Sequence, residues 1–510
     1  MTAGWLRLRT SGLAFPLVGA VATILAAYLT ATSSTTIGLG AVGVVFLYVV
    51  VVVGYMLAPH LAVAGTIALF EFLPTLKVLI SPNIGGVKDL VGLAAITAAA
   101  ITIISQRRRI DARVAGLTAM FLMLYVVNPG HSHNVAWAQG VRLTGEPILL
   151  LIAGLALPNP QRTLRWAVGS LVGVGLLIAL YGLFQQLVGP STLISLGYSY
   201  TAQVRTIGNH LRSFGTLDDP FAYAAVLYFA MAVVIFWLRR GPVAYLVGSV
   251  ILLGLAASFV RTAVPVLIAF MGMYLIRRGY VFPALAAAAA TVVIAALTLL
   301  GASGTQTQAF TVYFSNGGST VVQSPVPKAG ALALNGRVSA WQAAVGSNPL
   351  DWAFGRGVGQ VGTAAQRAAQ GLFISSSSGN STGSGTSPQA SAVDSGYFAT
   401  VADVGVVGLI VQLALLGRLI SLAARAARRQ ITSGWIALAL LAAMLIDALT
   451  RASFSGFPTA FVGMLVAGIA LAAAADQERE SQAVSTDGAP GPGGRSVAPR
   501  TRPQLSLPTL

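Results

Sequence analysis

Apolar windows about 20 residues long recur along the chain, beginning near Leu13, Gly38, Leu61, Val87, Ala112, Leu143, Leu164, Ala222, Val243, Thr262, Phe282, Tyr397, Ile431 and Phe461. Each is long enough for one helical crossing of a bilayer. The pattern predicts an all-α polytopic membrane protein with about fourteen transmembrane helices, within a range of about 12–14. An even count places both chain ends on one side. One window is irregular: Leu61 to Ile80 carries Glu71, Pro74 and Lys77 and reads as a broken or re-entrant helix. The polar stretches divide the chain into an N-terminal bundle of about eleven spans (1–300), a large outward loop with short helices (301–394), C-terminal spans (395–475) and a disordered cytoplasmic tail (476–510). No internal repeat is visible, which weighs against a transporter built from inverted halves.

Composition agrees. A chain of 510 residues that is 55% hydrophobic and 9% charged, with a mean hydropathy of +0.78, cannot hide its apolar surface inside a water-soluble fold. With no cysteine, neither disulfides nor thiolate metal sites brace the loops. A net charge of +17 would suggest nucleic acid in a soluble protein, but here its distribution decides. Arg7 and Arg9, Arg107 to Arg109 with Arg113, Arg162 and Arg165, Arg239 and Arg240, Arg277 and Arg278, and Arg425, Arg428 and Arg429 fall on alternate connections. By the positive-inside rule these connections are cytoplasmic, as are both termini, and no nucleic-acid partner is implied. Arg7 and Arg9 before an apolar run also outline a signal peptide, but no small-residue cleavage site precedes the next window, so this run reads as the first span.

Three outward connections are long: Asn128 to Val141, Gly189 to Asp219, and Gly301 to Asp394. The last holds a low-complexity run from Gly379 to Ser387. It also holds a predicted helix from a cap near Asn335, with Val338, Trp341 and Val345 on one face. Arginines on outward connections are exceptions to the charge rule: Arg142, Arg205, Arg212, Arg261, Arg337, Arg356, Arg367 and Arg451. Singly, each reads as well by snorkelling to lipid headgroups or pairing with an acid as by a functional role. Together they outnumber the outward acids Glu146, Asp218, Asp219, Asp351 and Asp394, which leaves guanidinium groups for a polyanion such as a lipid-borne diphosphate.

Four ordered segments carry a family resemblance. RTIGNHLRSFGTLDDPFAY from Arg205 to Tyr223, SFVRTA from Ser258 to Ala263, the arginine, tryptophan and glycine block from Asn335 to Gly359, and DSGYFATVADVGVVGL from Asp394 to Leu409 resemble motifs of the O-antigen ligase and Wzy-type polymerase superfamily. The resemblance spans the middle and last thirds of the chain. It implies an integral-membrane GT-C glycosyltransferase of cell-envelope biogenesis in the bacterial cytoplasmic membrane, working on its outer face. The implied donor is a polyprenyl-diphosphate-linked glycan and the second substrate a glycan acceptor, with other envelope polysaccharide assembly proteins as further partners. Neither a cofactor nor a metal is implied. The ligase branch carries a histidine, taken as the base, where this chain has Asp394. That departure favours a polysaccharide polymerase, with ligase-type transfer to a different acceptor, or a transporter or flippase of lipid-linked glycans, as alternatives.

Expulsion of a diphosphate needs fixed cations at the leaving oxygens. Arg142, Arg212 and Arg337 are the leading candidates, followed by Arg205 and Arg261. Asp394 is the candidate base for the acceptor hydroxyl, and reads equally as a helix cap; His210 and His131 are alternative bases. Asp218 and Asp219 precede Pro220 and divide between acceptor contact and capping. Trp341 divides between sugar platform and interfacial anchor. Gly357 to Gly362 matches G-x-G-x-x-G, but in an outward loop it reads as a turn or a backbone approach to phosphate. Asp447 and Arg451 read as an intrahelical pair.

Overall fold

A computed structural model describes residues 35–106, 108, 110–127, 135–198, 204–207, 210–238, 241–283, 285–286, 289, 348–359 and 395–487. Among them the chain is mostly helical, with thirteen α-helices and one short hairpin. The first six helices are α1 (Thr35–Leu57), α2 (Pro59–Leu79), α3 (Val87–Gln106), α4 (Ala112–Val127), α5 (Val135–Ala156) and α6 (Pro160–Ser195). Strands β1 (Arg205–Ile207) and β2 (His210–Arg212) pair antiparallel. Then follow α7 (Pro220–Phe236), α8 (Pro242–Ser258), α9 (Ala263–Arg277), α10 (Pro349–Phe354), α11 (Gly396–Arg428), α12 (Thr432–Asp447) and α13 (Thr459–Asp487).

Five helical segments are long and apolar enough to cross a membrane, and six other apolar helices are shorter. The expectation of about fourteen crossings is therefore met only in its coarser form, a helical bundle compatible with a bilayer. The windows predicted from Leu13 and Phe282 fall wholly or largely outside the described residues. α5 begins at Val135 rather than Leu143, because Arg142 and Glu146 face charged residues at the start of α3 and their turns need not be apolar. Helix α6 runs to Ser195, into the stretch read as a loop from Gly189. Its 36 residues would span about 54 Å straight. Gly189, at φ 76 before Pro190, breaks it. Helix α13 likewise continues past Asp476, where the tail was placed, to Asp487. Asp476 pairs with Arg479 one turn on, and Glu478 with Arg429, so these polar turns have partners that composition does not reveal.

Helix α13 is the centre of the bundle. Of its apolar window 89% is buried, against 39–44% for the other long helices. With lipid as apolar as leucine, close backbone approach holds such helices together. Gly154 on α5 and Gly468 on α13 allow it: a side chain at either would meet the other helix's backbone.

The basic clusters gather at one end. Arg108 donates to the carbonyls of Ala156 and Leu157 at the end of α5 and lies 3.7 Å from Asp476. Arg418 pairs with Asp111 at 2.5 Å, and that hydrogen bond holds the Asp111 carboxyl below its ordinary value. Arg277 donates to Phe236 O at 2.8 Å and to Thr432 Oγ1 at 3.2 Å. Connections far apart in sequence are thereby joined, as the alternating charge pattern requires.

At the opposite end α2 runs unbroken from Pro59 to Leu79 through Pro74, contrary to the expected broken or re-entrant helix, and only its hydrogen-bond ladder is interrupted. Pro74 supplies no N–H, and Thr75 N bonds Thr216 O at 3.1 Å instead of closing the helical turn. Thr216 Oγ1 in turn donates to Glu71 O at 2.8 Å. One threonine from the segment after the hairpin thus bonds both the Thr75 N–H and the Glu71 carbonyl beside Pro74, so the interrupted ladder leaves neither without a partner.

Candidate functional site

The end opposite the basic clusters holds a cavity of about 410 Å³ lined by Lys77, Lys88, Asp89, Arg142, Asp218 and Phe457, with Gly85 and Gly86. Its parts come from five regions. Lys77 lies in the last turn of α2 and Lys88 and Asp89 open α3. Arg142 sits in the second turn of α5, while Asp218 precedes α7 and Phe457 precedes α13.

The charges form a chain. Lys88 Nζ lies 2.5 Å from Asp89 Oδ1 and 4.0 Å from Glu146 Oε2, and Arg142 Nη1 lies 3.3 Å from Asp89 Oδ2. Lys88 is only 6% exposed, its ammonium 5.2 Å from the ring centres of both Phe457 and Phe461. A lysine so placed gains cation–π attraction that partly offsets its lost hydration. Lys77 faces Phe457 at 5.8 Å and has no ion-pair partner among the described residues. Arg142 Nε is buried without a hydrogen-bond partner among the described residues. The lining presents three cations to two carboxylates, on side chains held by helix starts and ring faces. It can bind an anion whose oxygens compete with Asp89 for Arg142.

Behind the cavity lies a second polar group. Glu71 is fully buried, with neither carboxylate oxygen hydrogen-bonded among the described residues, and it interacts electrostatically with Arg451. Arg451 lies 4.0 Å from Asp447, so the expected pair forms, but not within a helix: Asp447 ends α12 and Arg451 lies in the turn beyond it, where it also feels Asp219. Asp447 is braced by Ser453 and by Thr262 Oγ1 at 3.3 Å.

The predicted site residues divide. Arg142 joins the cavity. Arg212 does not line it: its Nε donates to Ser258 O at 3.2 Å and its guanidinium lies 4.8 Å from the Phe221 ring centre, so it caps the end of α8 and stacks on α7. Arg261 occupies the same α8 to α9 turn. Arg205 stands opposite Arg212, and His210 opposite Ile207, in the hairpin register. Asp219 caps α7, accepting from Ala222 N at 2.7 Å, whereas Asp218 lines the cavity. Arg337, Trp341, His131 and Asp394 lie outside the described residues. Sequence reasoning missed Lys77, Lys88 and Asp89 as site residues because it tested only arginines against the charge rule. The two lysines break that rule equally, since both sit away from the basic clusters.

The glycine block ending at Gly359 is packed rather than open. Gly359, at φ 79, lies against the backbone of Ala136 and Trp137, and Gly355 against Asp403 and Val404. The N–H of Gly359 donates to the Asp403 carboxylate, and Arg356 N bonds Ala402 O at 2.9 Å. The loop is thus wedged between the starts of α5 and α11, one turn from Arg142. At Gly405, φ 71, α11 breaks beside Ala353.

No protein-family model matches the chain, and no curated protein matches it.

Proposed function

We propose that the chain transfers a polyprenyl-diphosphate-linked oligosaccharide to a glycan acceptor on the outer face of the bacterial cytoplasmic membrane, as a polysaccharide polymerase. The observation that carries the reading is the cavity where Lys77, Lys88 and Arg142 converge away from the basic end. Positive-inside logic puts that end outside, where a lipid-linked donor presents its diphosphate. Lysine and arginine beside aromatic rings neutralise the charge that develops on a leaving diphosphate, more strongly than in water because the surroundings are of low dielectric. Arg337 adds to this set from the large outward loop, and Asp394 takes the proton of the incoming hydroxyl. The wedged Gly359 loop supports this arrangement by tying the large outward loop to the start of α5.

Substituting Arg337 and Asp394 separately, with Arg142→Gln alongside, and following conversion of polyprenyl-linked repeat units to polymer tests the reading. Loss of polymer in each variant is expected; full polymerisation in all three refutes the assignment. Buried Glu71, with Arg451 beside it, favours a second reading, a transporter of lipid-linked glycans, since intramembrane charge marks substrate paths. Failure of the donor to reach the outer face in a Glu71→Gln strain selects that reading.

A further inference from the structure

A second cavity, of about 350 Å³, lies at the basic end among α4, α5, α11 and α13. Part of its wall is apolar, with Val114, Leu155, Leu422 and Leu471, and the rest is charged. Every carboxylate in that lining already faces an arginine. Asp111 meets Arg418 at 2.5 Å, Asp476 meets Arg479 at 3.6 Å and Arg108 at 3.7 Å, and Glu478 meets Arg429 at 3.7 Å. Arg425 also lines the cavity and has no ion-pair partner among the described residues. With the acids neutralised, the remaining charge is positive, and it stands beside an apolar wall.

An anionic phosphate head carrying an apolar chain satisfies both halves. A guanidinium fork suits phosphate oxygens, and the leucine and valine wall suits the first carbons of an acyl chain. A soluble phosphate would use the charge and leave the wall unused. We propose that this cavity seats the phosphodiester head of an anionic phospholipid, with Arg425 as its contact, joining α4, α11 and α13 at their basic ends. Pockets of this kind between helices at the basic membrane face suit such headgroups. The inference rests on the membrane reading alone, because the proposed donor cavity is at the other end.

The full chain, purified into phosphatidylcholine nanodiscs with and without phosphatidylglycerol, provides the test through retained lipid in native mass spectra and thermal unfolding. Phosphatidylglycerol is expected to be retained and to raise Tm. Arg425→Ala should lose about ten-fold of that retention, the worth of a charge-assisted hydrogen bond. Arg428→Ala, exposed on the same helix end but outside the lining, should lose no more than about two-fold. Equal retention by Arg425→Ala and the unchanged protein overturns the proposal. So do equal losses in both variants, which would show diffuse attraction, or an equal rise in Tm with glycerol 3-phosphate, which would show a soluble occupant.

Discussion

Replacing Lys88 with methionine removes the ammonium, with its hydrogen bond to Asp89 and its attraction to two ring faces, while keeping an unbranched stem against Phe457 and Phe461. The consequence falls on the carboxylates. Asp89, 25% exposed, keeps Arg142 at 3.3 Å, whereas Glu146, 15% exposed, loses the cation at 4.0 Å and has no other ion-pair partner among the described residues. Removing one member of a buried pair costs about 3–5 kcal/mol, and the residual exposure here puts the expected loss near the lower end, about 3 kcal/mol. If the stranded Glu146 charge is the cause, adding Glu146→Gln should restore about half of it. Unfolding in mixed micelles, followed by helical circular dichroism, measures both values. A Lys88→Met protein within about 0.5 kcal/mol of the original refutes the reasoning. So does a double variant less stable than the single one.

Other outcomes follow from separate contacts. Thr216→Val leaves the Glu71 carbonyl without its donor and should cost about 1–2 kcal/mol in the same unfolding assay. Gly405→Ala forces an unfavourable φ and a clash with Ala353, so a loss of about 2–5 kcal/mol is expected, with lower yield of folded protein. Asp111→Asn should destabilise at neutral pH only. The folded Asp111 carboxyl is depressed below 3.8, so its contribution is complete above that pH and fades as pH falls through the folded value. The unfolding gap between the two proteins should therefore close in acid; a gap unchanged down to about pH 2 contradicts the ion pair.

Much of the bundle is legible in the sequence because its signals are local. Apolar windows from Val87, Ala112, Ala222, Val243 and Ile431 fall within two residues of helix starts, and the arginines of alternate connections meet at one end. Glu71 and Pro74 suggest a break in α2, but the helix continues through them and only its ladder is interrupted. What answers the interrupted ladder is a contact between residues 145 apart, which no window registers. The site was legible only in part for the same reason. Arg142 stood out by topology, but its neighbours Lys88 and Asp89 look like a helix flank until α5 packs against α3. Arg212 shows the opposite case: it lies outside the cavity lining and donates to the carbonyls at the end of α8, an engagement between residues about 46 apart that the sequence does not display.

The most direct measurement is a structure of the protein in nanodiscs with a polyprenyl-diphosphate-linked oligosaccharide bound. The account predicts the diphosphate against Lys77, Lys88 and Arg142, within hydrogen-bonding distance of at least two of them. A diphosphate seated at the basic end, or a donor that fails to bind the cavity at all, contradicts it.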